Sequence, residues 1–247
     1  MSETPNMNFA GHNIDTSQHT GGGNEHTSAW SHWSQVHMRE MRVLHEAGIL
    51  GLENRDWRNV AEHSMVVNAT AVFIARKLAE AGQDIDVALV DEASMLHDAT
   101  KRLEKENGIS YGNEHESSVR EEFLGKQGYS PEVIATTEYT GRVSEIFIDD
   151  PAERRAAVEA VPLAQLVVAY SDARVRNTNI VPLEQARDMN KQKVPADAAI
   201  YDQWYDFYHD AETRIFTAMQ DPGMTPDMLN DTSVTDMVQQ DYELAGY

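Results

Sequence analysis

One long stretch limits what this chain can become. From about Trp57 to Ala81 apolar residues recur three and four positions apart, and the pattern stops at Gly82. Val60, His63, Val67, Ala71, Ile74 and Leu78 fall on one face of the helix that this spacing predicts. Such a stripe has to be covered by other elements. The neighbouring segments carry matching stripes: Ile85, Leu89, Ala93 and Leu96 before Asp98, and Trp33, Val36, Met41, Leu44 and Ile49 between Ala29 and Gly48. No segment reads as a strand and no internal repeat is visible, so the expected fold class is all-α.

Start signals place the remaining helices. Gln83-Asp84 caps the second stripe, Ser130-Pro131-Glu132 opens a helix to about Tyr139, and Asp149-Asp150-Pro151-Ala152-Glu153 opens another. Pro162 leads a helix from Leu163 to about Val175, with Asn177-Thr178-Asn179 as a turn. Val181-Pro182-Leu183-Glu184 leads one through Met189, and the last long helix spans about Ala196 to Gln220. Residues 1–28 are polar and Gly-rich, which reads as a flexible arm, and the spaced His12, His19 and His26 lack a scaffold there. Residues 29–220 form the expected domain. Residues 221–247 are an acidic extension with a capped helix at Thr225-Pro226-Asp227, able to dock on the domain or on a partner.

Charge and composition exclude several functions. The formal charge of -21 repels nucleic-acid phosphates, so no general nucleic-acid binding is expected, although a small phosphorylated substrate needs only a local cationic patch. The absence of cysteine rules out disulfides, thiolate nucleophiles and iron–sulfur clusters, so a metal would rely on His, carboxylate and water. No run is long enough to cross a membrane and no signal-peptide core is present, which makes a cytoplasmic protein the default expectation.

The chemistry concentrates at Leu96-His97-Asp98-Ala99-Thr100-Lys101, where an imidazole, a carboxylate and an ammonium share one turn. An adjacent His-Asp pair offers two donor types to one cation. Two more residues are placed to join it. His63 points from its stripe toward the core; alone it reads as a buried histidine with a backbone partner, and beside the His-Asp pair as a ligand. Asp172 lies deep in the apolar run Leu166-Val167-Val168-Ala169-Tyr170, where a carboxylate needs a metal or an ion pair with Arg174, Arg176 or Arg187. A second pair, His209-Asp210, lies off the face formed by Trp204, Phe207, Tyr208, Ala211 and Ile215, and reads as solvent-exposed. Lys101 and Arg102, three and four positions beyond Asp98, could both lie over the site. The turn-rich Lys101–Asn113 segment reads as an overhanging loop.

A lone His in Glu62-His63-Ser64, the pair in Leu96-His97-Asp98, and the distant Asp in Ala169-Tyr170-Ser171-Asp172-Ala173-Arg174 together resemble the HD-domain superfamily of metal-dependent phosphohydrolases. The resemblance covers roughly residues 30 to 220 and implies an HD-type helical bundle with His63, His97, Asp98 and Asp172 as metal ligands. In two-metal members a His at the position of His115, with histidines about one helix later, completes a second site. Here the later positions read Thr136-Thr137-Glu138-Tyr139-Thr140, which favours one metal, with His115 and Glu138 as outer contacts or substitute ligands. Mn, Mg, Co, Ni, Fe and Zn are not distinguished by this set.

The resulting expectation is hydrolysis of a nucleotide or related phosphorylated metabolite, with Asp98, Lys101 and Arg102 as the active side chains. A non-catalytic metal- or ligand-binding module and a di-iron oxygenase are the alternatives.

Overall fold

The computed structural model describes residues 25–50, 57–108, 114–141, 148–195, 198–221 and 223–246, with side chains omitted at 25–27, 114–117 and 141. The fold is all-α. Of the polar arm, residues 1–24 lie outside the described residues, as does the 109–113 part of the expected loop.

Two helices, α1 (Glu25–Val36) and α2 (Met38–Glu46), stand where one was expected. They part at His37, whose ring is drawn inward between the Trp33 carbonyl (2.6 Å) and Asp91 (2.8 Å). Trp33, Met41, Leu44 and Ile49 are buried, but Val36, next to the break, is 60 % exposed.

The long stripe forms α3 (Arg58–Glu80), with Val60, Val67, Ala71, Ile74 and Leu78 all buried. It ends where Gly82 adopts φ +80°, with Gln83 N–H on the Leu78 carbonyl and Gly82 N–H on that of Ala79. That pair of bonds satisfies carbonyls the last turn would otherwise leave open, and only glycine enters it without strain. Next comes α4 (Val87–Leu96). Its cap is Asp86, two residues after the expected one, whose Oδ1 accepts from the Ala88 and Leu89 amides.

Lys101–Glu106 is a short helix, α5, and not a loop; α6 (Glu114–Lys126) and α7 (Pro131–Glu138) follow, then a 3-10 turn at Tyr139–Gly141. Ser130 and Asp150 cap α7 and α8 (Pro151–Ala160) as their sequences predict. Helix α9 (Leu163–Arg174) runs into a hairpin of two-residue strands, β1 (Val175–Arg176) and β2 (Asn179–Ile180), with Val175 opposite Ile180. The chain closes with α10 (Leu183–Lys193), α11 (Ala198–Ala218), a 3-10 turn at Pro226–Met228, and α12 (Asp231–Leu244).

Helices α3 and α4 form the centre, and α9 packs against both. Helix α7 covers α4 and α9, while α11 lies on α8, α9 and α10. The acidic extension docks on its own domain: α12 packs on α1 and α3, buries Val234, Met237 and Val238, and pairs Asp241 with both Nη atoms of Arg76 at 2.9 and 2.8 Å.

Candidate metal centre

The packing of α3, α4 and α9 brings His63, His97, Asp98 and Asp172 together. One donor atom each from His63, His97 and Asp98 lie within 4.8 Å of one another. The Asp172 Oδ1 is 2.9 Å from Nε2 of His63 and 3.6 Å from Nε2 of His97, and Asp98 Oδ2 is 3.8 Å from the latter. The two imidazoles meet edge to face, their centroids 5.3 Å apart.

Both rings are oriented through Nδ1. His97 caps the C-terminus of α4, where its Nδ1–H donates to the Ser94 carbonyl at 2.7 Å. The Nδ1–H of His63 donates to the Asn177 carbonyl at 3.0 Å. A carbonyl can only accept, so these bonds leave both Nε2 atoms facing inward, as a metal-ligating imidazole requires. His97 is 1 % exposed, and its Nε2 is buried with no hydrogen-bond partner. A buried nitrogen left without a partner is costly, and it lies beside two carboxylates. The donor set therefore fits a divalent cation.

The charges reinforce one another. Burial by itself would lower the His97 pKa, but the Asp98 charge and then Asp172 outweigh it and raise the value. Burial would likewise raise both carboxyls. Instead Lys101 and His97 hold Asp98 below its ordinary range, and the two imidazoles hold Asp172 well below. Both half-buried carboxylates are thus kept ionised.

The other expected site residues divide. Lys101 reaches the centre, its Nζ 2.6 Å from Asp98 Oδ2. Arg102 does not: Nη1 donates to the Gly48 carbonyl and Nε to Glu106. Successive helical residues point about 100° apart, and here that offset turns Arg102 toward Gly48 and Glu106 while Lys101 faces Asp98. Glu138 is buried at the end of α7 but is not in the group of converging donors, and the side chain of His115 lies outside the described residues. His209-Asp210 is half-buried and not solvent-exposed, because Asp210 pairs with Arg154 of α8 at 2.8 Å.

None of the three arginines weighed as partners for Asp172 takes its carboxylate. Arg176 instead donates to the Asp172 main-chain carbonyl at 3.2 Å and to the Tyr205 hydroxyl. Burial raises the Tyr208 pKa most, followed by the Asp172 charge, which puts that phenol within electrostatic reach of the centre. In the sequence nothing singles out Tyr205, and Tyr208 stands out only as part of an apolar helix face. The Asn177 carbonyl has no signature in the sequence, since a main-chain acceptor is independent of residue identity.

In comparisons with family models, curated proteins and solved structures, nothing matches this chain.

Proposed function

We propose that this centre holds one divalent cation and hydrolyses the phosphoric ester of a nucleotide or small phosphorylated metabolite. The observation that carries the reading is His97 Nε2: buried, unbonded, locked in direction by the Ser94 carbonyl, and beside two ionised carboxylates. A divalent cation held there would polarise a phosphoryl oxygen and make water a usable nucleophile near neutral pH. His63, His97, Asp98 and Asp172 would hold it. Lys101, with its ammonium at the rim of the centre, is placed to offset negative charge developing on a phosphoryl group. Arg102 has no part in this chemistry.

One feature favours a non-catalytic binding module as a second reading. Asp98 and Asp172 already have cationic or imidazole partners in Lys101 and His63, so both carboxylates are compensated without a substrate.

The decisive experiment is a panel of nucleotides and phosphorylated metabolites, each assayed with Mn²⁺, Mg²⁺, Co²⁺, Ni²⁺, Fe²⁺ or Zn²⁺. Phosphate release that disappears in His97→Ala and Asp98→Ala supports the hydrolase. Tight metal binding with no turnover on any compound supports the module. Activity and metal content unchanged in both variants would end the proposal.

A further inference from the structure

The hairpin after α9 is too short to stand alone. It has two residue pairs, and even longer isolated hairpins are marginal in water. Yet its turn residue, Asn177, holds the left-handed φ of +56° and aims its carbonyl at Nδ1 of His63. Something outside the hairpin has to fix that carbonyl.

Two anchors are visible. The first is Arg176, clamped between the Asp172 and Val175 carbonyls and the Tyr205 hydroxyl. The second comes from the C-terminal extension. The Ile180 amide donates to Oδ1 of Asp231, the first residue of α12, at 2.9 Å. At the base of the hairpin the Val181 amide donates to the Arg174 carbonyl, while the Arg174 guanidinium holds the carbonyls of Val181, Pro226 and Leu229. The segment from Pro226 to Asp231 therefore grips the strand whose partner leads into the His63 acceptor.

We propose that this segment is a latch that sets the direction of His63 through the hairpin, and that Asp231 is a positioning residue for the centre. The proposal rests on the reading of His63 as a metal ligand. An outer acceptor fixes which imidazole nitrogen faces the metal, and losing such a partner typically weakens metal binding about 10–100-fold. Removing the Asp231 acceptor frees the Ile180 amide, loosens β2, and lets the Asn177 carbonyl leave His63.

The test compares Asp231→Ala with Asp231→Asn, whose amide oxygen still accepts from Ile180. Mn²⁺ affinity is measured by calorimetry, and the His63 ring nitrogens are followed by ¹⁵N–¹H correlation in the metal-free protein. Asp231→Ala is expected to weaken Mn²⁺ binding about tenfold and to shift or broaden the His63 ring signals, while Asp231→Asn matches wild type in both. Wild-type affinity and ring signals in Asp231→Ala overturn the latch, as does Asp231→Asn behaving like Asp231→Ala.

Failure of wild type to bind any Mn²⁺ instead counts against the metal reading, and the ring signals alone then decide the latch. Should Asp231→Ala not fold, native-state hydrogen exchange on wild type decides. The Ile180 amide and the His63 Nδ1–H opening with one denaturant dependence supports the latch, and different dependences overturn it.

Discussion

The Arg102 guanidinium closes over Gly48: Nη1 donates to the Gly48 carbonyl at 3.2 Å, and a Cβ built on Gly48 would lie 1.6 Å from that nitrogen. Gly48 ends α2 at φ +73°, with the Ile49 amide bonded back to the Leu44 carbonyl. Gly48→Ala is expected to cost about 1–2 kcal/mol, the strain of a left-handed alanine. The clash adds little, because the far end of Arg102 can swing aside. Urea unfolding measures it, and stability equal to wild type would show that the positive φ is not required.

Binding of a cation at His97 should be visible as stability. A ligand present at 100 times its dissociation constant stabilises the folded state by about 2.7 kcal/mol. For a domain of this size that corresponds to a rise in Tm of about 5–10 °C. Thermal melts after chelation and on adding back each divalent ion should show this rise for the preferred ion. His97→Ala and Asp98→Ala should show none. A rise of equal size in the variants would place the ion elsewhere.

Much of this architecture was legible in the sequence because it rests on side chains. The stripe of α3 has helical period, Ser130 and Asp150 announce their helices, and Asp172 stands out as a carboxylate within an apolar run. His63, His97, Asp98 and Asp172, from three separate segments, do come together. What stayed hidden depends on the main chain or on tertiary pull. Two-residue strands have no periodicity to read. The break at His37 follows from a contact with Asp91, 54 positions later. Arg102 turns to the Gly48 carbonyl, an acceptor 54 positions earlier that residue identity does not announce.

The His37–Asp91 pair predicts a pH dependence. Burial alone would lower the His37 pKa, but its hydrogen bond to Asp91 and the Asp91 charge raise it above 6.5. Burial would raise Asp91, but the bond and charge of His37 bring it below 3.8. A raised histidine contributes stability that is complete below 6.5 and lost as pH climbs through the folded value. A depressed carboxylate contributes above 3.8 and loses it as pH falls through the folded value. The pair is therefore worth most between these limits. His37→Gln should lose about 1.5 kcal/mol there, a low figure because the Asp91 side chain is 37 % exposed and partly screened. The loss should shrink as pH rises above 6.5 and through the raised histidine value. A deficit that stays constant across that range would argue that the pair does not titrate as described.

Arg174 is where the extension and the domain core depend on one cation. Its side chain is 3 % exposed. Nε meets the Val181 carbonyl at 2.6 Å, and Nη1 meets the Tyr170 hydroxyl at 2.6 Å and Glu212 at 3.2 Å. Nη2 takes the Pro226 and Leu229 carbonyls at 3.2 and 3.0 Å. A lysine cannot reproduce this fork. Arg174→Met should cost about 3–5 kcal/mol, because it takes the cation from the half-buried Glu212 carboxylate, which keeps its Tyr170 hydroxyl donor, and takes a donor from each of three carbonyls. Adding Glu212→Met to that variant removes the stranded charge, so the double variant should be more stable than Arg174→Met alone. The comparison is made by equilibrium urea unfolding. Strict additivity of the two losses would mean that Arg174 holds the extension through its carbonyl contacts alone, with Glu212 a bystander.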